Sequence, residues 1–253
     1  MLLQERHRKI LHFLSANGSV RTTQTAADLK VTEETIRRDF EKLEAEGELV
    51  RIHGGAMRLD LNQRDFPLRE RIEQNARGKA RIARAALLHI KEGSTVFFDA
   101  STTVLQLAAL LPDQPLTVLT NALQTAITLV EKSHITVFLL GGRLGASSLS
   151  CTGWAAGQGL EHHRIDAAFI SCKGLDLAFG ASEAAEEHAR MKRHVVQRAS
   201  EVFLLADQTK AGLASSFFFA DNSEIDVWIT DEVPSPDVGD AVTSQGMRVE
   251  VAK

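Results

Sequence analysis

An acidic residue and three hydroxyl residues lie where a strand-like run, residues 94–99, meets a helical pattern at residues 102–111. These polar residues are Asp99, Ser101, Thr102 and Thr103. The free N–H groups and the dipole of a helix N-terminus both favour an anion, and hydroxyls can add hydrogen bonds to it. The run therefore predicts a phosphate site. Plain capping of the helix by Ser101 or Thr102 is the alternative.

Further polar groups follow other apolar runs of the sequence. They are Thr120, Asn121, Gly141, Gly142, Lys173, Gly174, Asp207 and Lys210. If the runs are parallel strands, their carboxyl ends meet at one edge of a sheet, where open α/β sheets bind ligands. The pattern predicts one shared pocket. A simple turn at Gly141 and Gly142, and a helix cap or a salt bridge to Lys210 for Asp207, are the alternatives.

A different chemistry is indicated by the helical pattern at residues 32–46. At about 100° per residue, Ile36, Phe40 and Leu43 form one apolar stripe, while Arg38 projects directly away from it. Arginine can read guanine in the major groove through two parallel hydrogen bonds. A recognition helix needs such a division, with one face on the core and the other in the groove. An ordinary amphipathic helix with a solvated face is the alternative.

The elements around this helix favour DNA binding. Helical patterns at residues 4–16 and 23–29 precede it, and two strand candidates, 49–52 and 56–59, follow it around a glycine pair. Three short helices and a hairpin predict a winged helix-turn-helix, in which the hairpin lies along the DNA backbone. The residues expected at the DNA are Thr22, Thr32, Glu34, Thr35, Arg37, Arg38, Lys42, Arg51, His53 and Gly54.

Charge limits how this unit can bind. The chain carries a formal net charge of −4, and residues 1–57 contain nine basic and nine acidic side chains. Non-specific affinity for DNA scales with the phosphates neutralised, so it should be modest, and a dimer or tetramer that joins two half-sites would compensate. Residues 58–84 contain eight basic and four acidic side chains. They read either as additional phosphate contacts or as a solvated linker face.

Two segments together resemble the signature of DeoR-family regulators. Residues 31–43 (VTEETIRRDFEKL) resemble the family's T-I-R-R-D helix, and residues 47–56 (GELVRIHGGA) resemble its H-G-G-A wing. The resemblance extends more loosely over the rest of the chain. It implies a transcriptional regulator, expected to repress a carbohydrate-utilisation operon, whose C-terminal domain belongs to the ribose-phosphate isomerase and CoA-transferase-like fold group and binds a phosphorylated sugar.

The resemblance also implies an effector site. In it, residues 101–103 would hold the phosphate, and the other matching groups would hold the sugar hydroxyls. The residues so implied are Asp99, Ser101, Thr102, Thr103, Thr120, Asn121, Gly141, Gly142, Lys173, Gly174, Glu183, Asp207 and Lys210, with Glu187 and Lys192 near them. Ala211 departs from the pattern, because many relatives have Phe after the matching lysine.

The second part of the chain alternates apolar runs with helical patterns. Strands are predicted at residues 94–99, 116–120, 135–140, 166–171, 201–206, 226–230 and 247–252, and helices at 102–111, 122–132 and 183–199. This alternation predicts an α/β fold with a mostly parallel sheet covered on both faces. We therefore divide the chain into a winged helix-turn-helix domain (1–58), a connector (59–75) and an α/β sensor domain (76–253).

Other function classes have weaker support. There is no G-x-x-x-x-G-K-[ST] or G-x-G-x-x-G run, so no cofactor is expected. The two cysteines, Cys151 and Cys172, and the adjacent His162 and His163 lack metal-ligand spacing. No apolar run approaches the roughly 20 residues that span a bilayer, and a reducing cytoplasm is the expected location.

A sugar-phosphate isomerase with a fused DNA-binding domain is the alternative function. Its acid and base groups would be Asp99, Lys173, Glu183 and Glu187. An isomerase needs such a group within hydrogen-bond reach of a substrate carbon. Aldose-to-ketose turnover by the purified protein would separate the enzyme from a sensor.

Overall fold

The computed structural model describes residues 3–17, 19–52, 54–58 and 67–253. His53, which we predicted at the DNA, and residues 59–66 of the predicted connector lie outside the described residues.

The N-terminal domain has three helices and a small antiparallel sheet. Its elements are α1 (Leu3–Asn17), β1 (Ser19–Arg21), α2 (Thr22–Leu29), α3 (Glu33–Ala45), β2 (Leu49–Ile52) and β3 (Gly55–Arg58). The strand order is β1-β3-β2. The three helices and the β2–β3 hairpin were predicted from the sequence, and their presence confirms the winged helix-turn-helix. The strand β1 was not predicted.

The predicted stripe of α3 forms the centre of this domain. Ile36, Phe40 and Leu43 are each at most 1% exposed and pack with Ile10 and Leu14 of α1. Thr32 caps the helix by accepting the Thr35 N–H at 3.2 Å. The apolar periodicity thus fixes which face of α3 is left for DNA.

One buried charge in this domain was not predicted. Asp39 of α3 is almost fully buried and accepts hydrogen bonds from Arg6, with Nη2 at 2.9 Å, and from His7 at 3.3 Å. Both partners belong to α1. Attraction by the Asp39 carboxylate raises the pKa of Arg6, so the ion pair fastens α1 to the back of α3.

The C-terminal domain contains the remaining elements. In chain order they are α4 (Leu68–Glu73), α5 (Ala76–Leu87), β4 (Thr95–Phe98), α6 (Thr102–Leu110), β5 (Leu116–Thr120), α7 (Leu123–Val130), β6 (Ile135–Leu139), β7 (Arg143–Gly145), β8 (Ser150–Thr152), α8 (Trp154–Gln158), β9 (Ala167–Ile170), β10 (Gly174–Asp176), β11 (Gly180–Glu183), α9 (Glu186–Val196), β12 (Val202–Leu205), β13 (Phe217–Ala220), β14 (Val227–Thr230), α10 (Pro236–Ser244) and β15 (Arg248–Val251), with two 3-10 turns at Gln208–Lys210 and Asn222–Glu224.

Seven of these strands form one parallel sheet in the order β15-β14-β12-β9-β4-β5-β6. They are the seven strands that the sequence predicted. One face packs on α8, α9 and α10 through residues such as Phe97 and Trp228, and the other packs on α5, α6 and α7 through residues such as Phe98 and Phe169. The predicted α/β fold with both faces covered is confirmed.

Short antiparallel strands complete the domain, and the sequence did not predict them. β7 pairs with β8, and β10, β11 and β13 form a second small sheet. The predicted helix at residues 183–199 was too long, because Gly180–Glu183 is a strand and the helix begins at Glu186.

The β10–β11 hairpin touches the N-terminal domain. The Ser19 hydroxyl of β1 donates to the buried carboxylate of Asp176. The Arg21 guanidinium donates to the Ala178 carbonyl and lies 4.6 Å from the centre of the Phe179 ring. The domains are therefore joined at the hairpin tip as well as through the chain.

Truncation of the α3 stripe tests this packing. Phe40→Ala should lower the free energy of unfolding by about 3–5 kcal/mol, because it removes a fully buried ring. The measurement is the urea unfolding of the full chain, followed together with binding to DNA. Leu3→Ala, at a 40% exposed position of α1, is the control and should change little. An unaltered unfolding curve for Phe40→Ala would refute the assignment of the buried face.

Candidate effector pocket and DNA-binding surface

A cavity of about 300 Å³ opens at the carboxyl edge of the parallel sheet. Asp99 directly follows β4, Asn121 follows β5 and Ser171 follows β9, so three neighbouring strands each bring a polar residue to it. The sequence-predicted residues that line the cavity are Asp99, Ser101, Thr102, Thr103, Asn121, Lys173, Glu183, Asp207 and Lys210.

Four predicted effector residues do not line the cavity. The Thr120 hydroxyl donates to the Phe98 carbonyl at 2.8 Å and accepts the Ala122 N–H at 3.0 Å, so its hydrogen bonds are made to backbone groups of the protein. Gly141 and Gly142 form the connection from β6 to β7, which was the alternative interpretation. Gly174 lies in β10, where its backbone closely approaches Leu213. These positions shape the surroundings of the site.

A buried ion cluster forms the floor of the cavity. The Lys192 ammonium of α9 lies 2.9 Å from Asp99, pairs with Glu183 and donates to the Ser171 carbonyl at 2.5 Å. Burial is the strongest influence on Lys192 and disfavours its charge, but the two carboxylates together outweigh it and raise the pKa of Lys192. Lys192 thus remains protonated in the folded protein.

Asp99 is fully occupied by the protein itself. Its Oδ1 accepts the Ser101 N–H at 2.9 Å, and its Oδ2 accepts the Ser171 N–H at 2.8 Å in addition to Lys192. Asp99 therefore holds the loop before α6 in place. This arrangement explains why an acidic residue stands beside the predicted phosphate site.

The groups proposed for isomerase or redox chemistry are similarly engaged. Glu187 lies outside the cavity, where it accepts the Thr152 hydroxyl at 2.8 Å and pairs with Arg143. Burial raises the pKa of Cys172 to about 12, so its thiol stays protonated and is poorly suited to redox sensing. In the described ranges, no three His, Cys, Asp or Glu side chains gather as metal ligands.

The N-terminus of α6 forms one wall of the cavity. The Ser101 hydroxyl accepts the Val104 N–H at 3.2 Å, so Ser101 is the helix cap that we considered as the alternative. Thr102 and Thr103 open the helix, and the Thr102 hydroxyl donates to the Arg71 carbonyl at 3.3 Å. The Thr103 hydroxyl is therefore the one available to an anion at the helix end, and Thr102 could donate to an anion only by releasing the Arg71 carbonyl.

Sequence reasoning missed two basic residues of the cavity, Arg71 of α4 and Lys79 of α5. The pKa of Lys79 is lowered to about 8, mainly by burial, while the attraction of Asp207 opposes the repulsion by Lys210, Arg71 and Lys173. Both belong to residues 58–84, which contain eight basic side chains. No signal in the sequence separates these two from the solvated ones.

The cavity has an excess of positive charge and a buried acceptor without a hydrogen-bond partner in the described part of the chain. Five cationic side chains face three carboxylates along its walls. The Asn121 amide donates to the Cys151 carbonyl at 3.0 Å, but its Oδ1 is buried without a hydrogen-bond partner in the described part of the chain. An anion that also carries hydroxyl donors would satisfy both features.

The DNA-facing side of α3 is exposed, as predicted. Arg37 pairs with Glu33 at 2.9 Å and Arg38 pairs with Glu34 at 3.1 Å. Exposed pairs of this kind contribute about 0–1 kcal/mol, so DNA can displace them easily. Glu34 and Lys42 are also exposed, whereas Thr35 is half-buried.

The other predicted DNA contacts surround this helix. Arg51 of the wing pairs with Glu41 and Glu44, each at 2.8 Å, and Gly54 occupies the wing turn with a positive φ of 85°. Thr22 is buried at the start of α2, with 5% exposure. Its N–H donates to the Gly54 carbonyl of the wing at 2.8 Å, so Thr22 is little exposed to DNA.

This architecture defines a class of protein: a DNA-binding regulator in which a separate α/β domain carries a polar cavity. The family model for the DeoR-like helix-turn-helix domain matches residues 6–61. The model for the DeoR C-terminal sensor domain matches residues 74–232. The chain belongs to the DeoR family of transcriptional regulators.

Full-length relatives support the assignment. The chain is 38% identical over 236 residues to the HTH-type transcriptional regulator YulB of Bacillus subtilis (strain 168), covering 93% of this chain and 92% of the relative. It is 33% identical over 253 residues to the HTH-type transcriptional repressor GlcR of the same strain, covering 100% and 98%. The glycerol-3-phosphate regulon repressor of Escherichia coli (strain K12) is 29% identical over 248 residues, covering 98% of each chain.

Solved structures give a more distant likeness. Ribose 5-phosphate isomerase A of Methanocaldococcus jannaschii aligns with a TM-score of 0.42 and 13% identity, covering 55% of each chain. A translation initiation factor eIF-2B structure from Pyrococcus horikoshii OT3 aligns with a TM-score of 0.40. Among the helices that the structure describes, none is long and apolar enough to cross a membrane.

Removal of the central cation tests the role of the ion cluster. Lys192→Met should destabilise the protein by about 3–5 kcal/mol, because it leaves two buried carboxylates without their partner. Arg190→Met is the matched control on the same helix, since Arg190 forms an exposed pair with Glu186, and it should cost less than about 1 kcal/mol. Urea unfolding at neutral pH measures both. Equal effects of the two substitutions would contradict the proposed floor of the cavity.

Proposed function

We propose that this regulator represses an operon of carbohydrate utilisation and that a phosphorylated sugar, bound in the cavity of the C-terminal domain, is its effector. The excess of cationic over acidic side chains around the cavity carries the proposal. A phosphate monoester has a charge of about −1.5 to −2 at neutral pH, which would balance five cations against three carboxylates. The protein would act in the cytoplasm.

The names of the relatives point in the same direction. They include a repressor of a glycerol-3-phosphate regulon and a putative repressor of an aga operon, both from Escherichia coli. We include repression and a phosphorylated effector in the proposal for this chain on the basis of these names.

The groups along the cavity suggest how the effector would lie. Its phosphate would sit at the N-terminus of α6, against Thr102 and Thr103, where helix N–H groups and the dipole favour an anion. A sugar hydroxyl would donate to the unpartnered Oδ1 of Asn121. Lys173 and Lys210 line the same cavity and would add positive charge.

DNA would be read by α3 in the major groove, with the wing along the backbone. Because residues 1–57 have equal numbers of basic and acidic side chains, one copy would neutralise few phosphates. We therefore propose that a dimer or tetramer binds two half-sites of double-stranded operator DNA.

A panel of sugars with and without phosphate tests the proposed effector. A ligand that binds only the folded state raises its apparent stability, so the thermal midpoint should rise with at least one phosphorylated sugar. The same sugar without phosphate should give no rise. A panel in which no phosphorylated sugar has an effect, or in which both forms act equally, would contradict the proposal.

Arg38→Ala tests base reading by α3. The DNA would be a site that the wild-type protein selects from a random pool. The substitution should cost roughly 1–3 kcal/mol of binding free energy on that site and relax discrimination at one base position. Affinity should be measured on the selected site and on random DNA. Equal losses on both would make Arg38 a phosphate contact instead.

A double substitution tests the phosphate position. Thr102→Val with Thr103→Val keeps side-chain shape but removes two hydroxyls, each worth on the order of 1.5–3 kcal/mol toward a charged group. The variant should still bind the selected DNA site but lose most of its response to the effector found in the panel. Thr117→Val, at the opposite end of β5, is the control. An undiminished response would move the phosphate toward Lys173.

A further inference from the structure

Arg71 places an uncompensated charge on the cavity wall. Its Nε and Nη2 atoms are buried, and in the described part of the chain they have no hydrogen-bond partner. A guanidinium cannot lose its proton in a protein and has five N–H donors to satisfy. Burial without an acceptor is therefore unfavourable unless a ligand supplies one.

The neighbours of Arg71 add further positive charge to the same wall of the cavity. Lys79 donates to the Arg71 carbonyl, a contact that leaves the guanidinium itself unbalanced. The lowered pKa of Lys79, near 8, reflects burial first, and then repulsion by Lys210, Arg71 and Lys173 against the attraction of Asp207. Cations that repel one another in a partly closed space are arranged for an anion.

The other wall of the cavity offers groups that suit the same anion. Thr102, the first residue of α6, donates to the Arg71 carbonyl at 3.3 Å, so α4 and the N-terminus of α6 are in contact. A second observation is independent of these charges: Asn121 is 4% exposed, and its Oδ1 lacks a partner among the described residues. The cavity therefore holds both unused donors and an unused acceptor.

Arg71 belongs to the segment that enters the C-terminal domain from the DNA-binding domain. Its helix, α4, has six residues and begins directly after Pro67. It is attached by the buried side chain of Leu68 and by the Leu68 N–H, which donates to the Ser147 carbonyl at 3.0 Å. A ligand that binds Arg71 would add a further attachment to this short helix.

We propose that Arg71 recognises the phosphate of the effector from the connector side, so that the bound anion ties α4 to the N-terminus of α6. The planar guanidinium can donate two parallel hydrogen bonds to phosphate oxygens, and the helix N-terminus supplies N–H groups from the other side. The inference rests on the proposed function, because it takes the effector's phosphate as its ligand.

Inorganic phosphate is the probe for this proposal, with the full-length protein. Arg71→Gln should weaken phosphate binding by about 10- to 100-fold, as expected for the loss of charge-assisted hydrogen bonds. Arg71→Lys keeps the charge without the planar fork and should fall between Arg71→Gln and the wild type. Arg69→Gln, at an exposed position of the same helix, should bind as the wild type does. Calorimetry measures the affinities.

Hydrogen exchange separates recognition from a structural role. Phosphate should slow the exchange of backbone amides 68–73 in the wild type and in Arg69→Gln. In Arg71→Gln at a phosphate concentration that saturates it, this slowing should be absent. A residue that merely packs would change the exchange rates without changing their dependence on phosphate.

The outcomes distinguish this inference from the proposed function. If the wild type binds neither inorganic phosphate nor any phosphorylated sugar, the proposed function is wrong and the inference falls with it. If the wild type binds phosphate and Arg71→Gln binds it equally well, only the inference is overturned. Should Arg71→Gln fail to fold, Arg71→Lys decides, and an unchanged phosphate affinity in that variant overturns the inference.

Discussion

The site depends on the contact of Lys192 with Asp99 and Glu183. The three residues come from α9, from the end of β4 and from β11, so one ammonium gathers three elements under the cavity. Asp99 in turn fixes the N–H groups of Ser101 and Ser171. Buried ion pairs add little net stability, but the loss of one partner is strongly unfavourable. The cluster therefore serves mainly to fix the position of the loop before α6.

The same cluster is connected to the DNA-binding domain through one hairpin. β10 begins next to Lys173 and β11 ends at Glu183, and both residues line the cavity. The tip of the hairpin contacts Ser19 and Arg21 of β1, and β1 pairs with the wing strand β3. The hairpin is thus a second path between the domains, besides the connector. A ligand can act along either path only if it binds two arrangements of that path with different affinity.

The sequence predicts the large sheet well because its inner strands are buried on both faces, and such strands are continuous apolar runs. The strand at residues 202–205 (VFLL) is an example. The strands β10 and β11 were missed because they are short and contain Gly and Ser. Arg71 and Lys79 were missed for a different reason: tertiary burial, which composition does not record, distinguishes them from the solvated basic residues of the segment 58–84. The prediction of Thr120 in the pocket was wrong, because its hydroxyl is hydrogen-bonded to the neighbouring strand, a contact that the sequence does not indicate.

Both proposed ligands are anions, although the chain has a net charge of −4. On α3, Arg37 and Arg38 are exposed and paired with glutamates of the same helix, so DNA binding would replace these weak pairs. In the cavity, Lys79 and the Nε and Nη2 atoms of Arg71 are buried, and salt screens buried charges much less than it screens exposed ones. Their repulsion is relieved only by an anion that enters the cavity. In this proposal the two domains bind anions by opposite means, the first through exposed ion pairs that DNA can replace and the second through buried positive charge without a partner among the described residues.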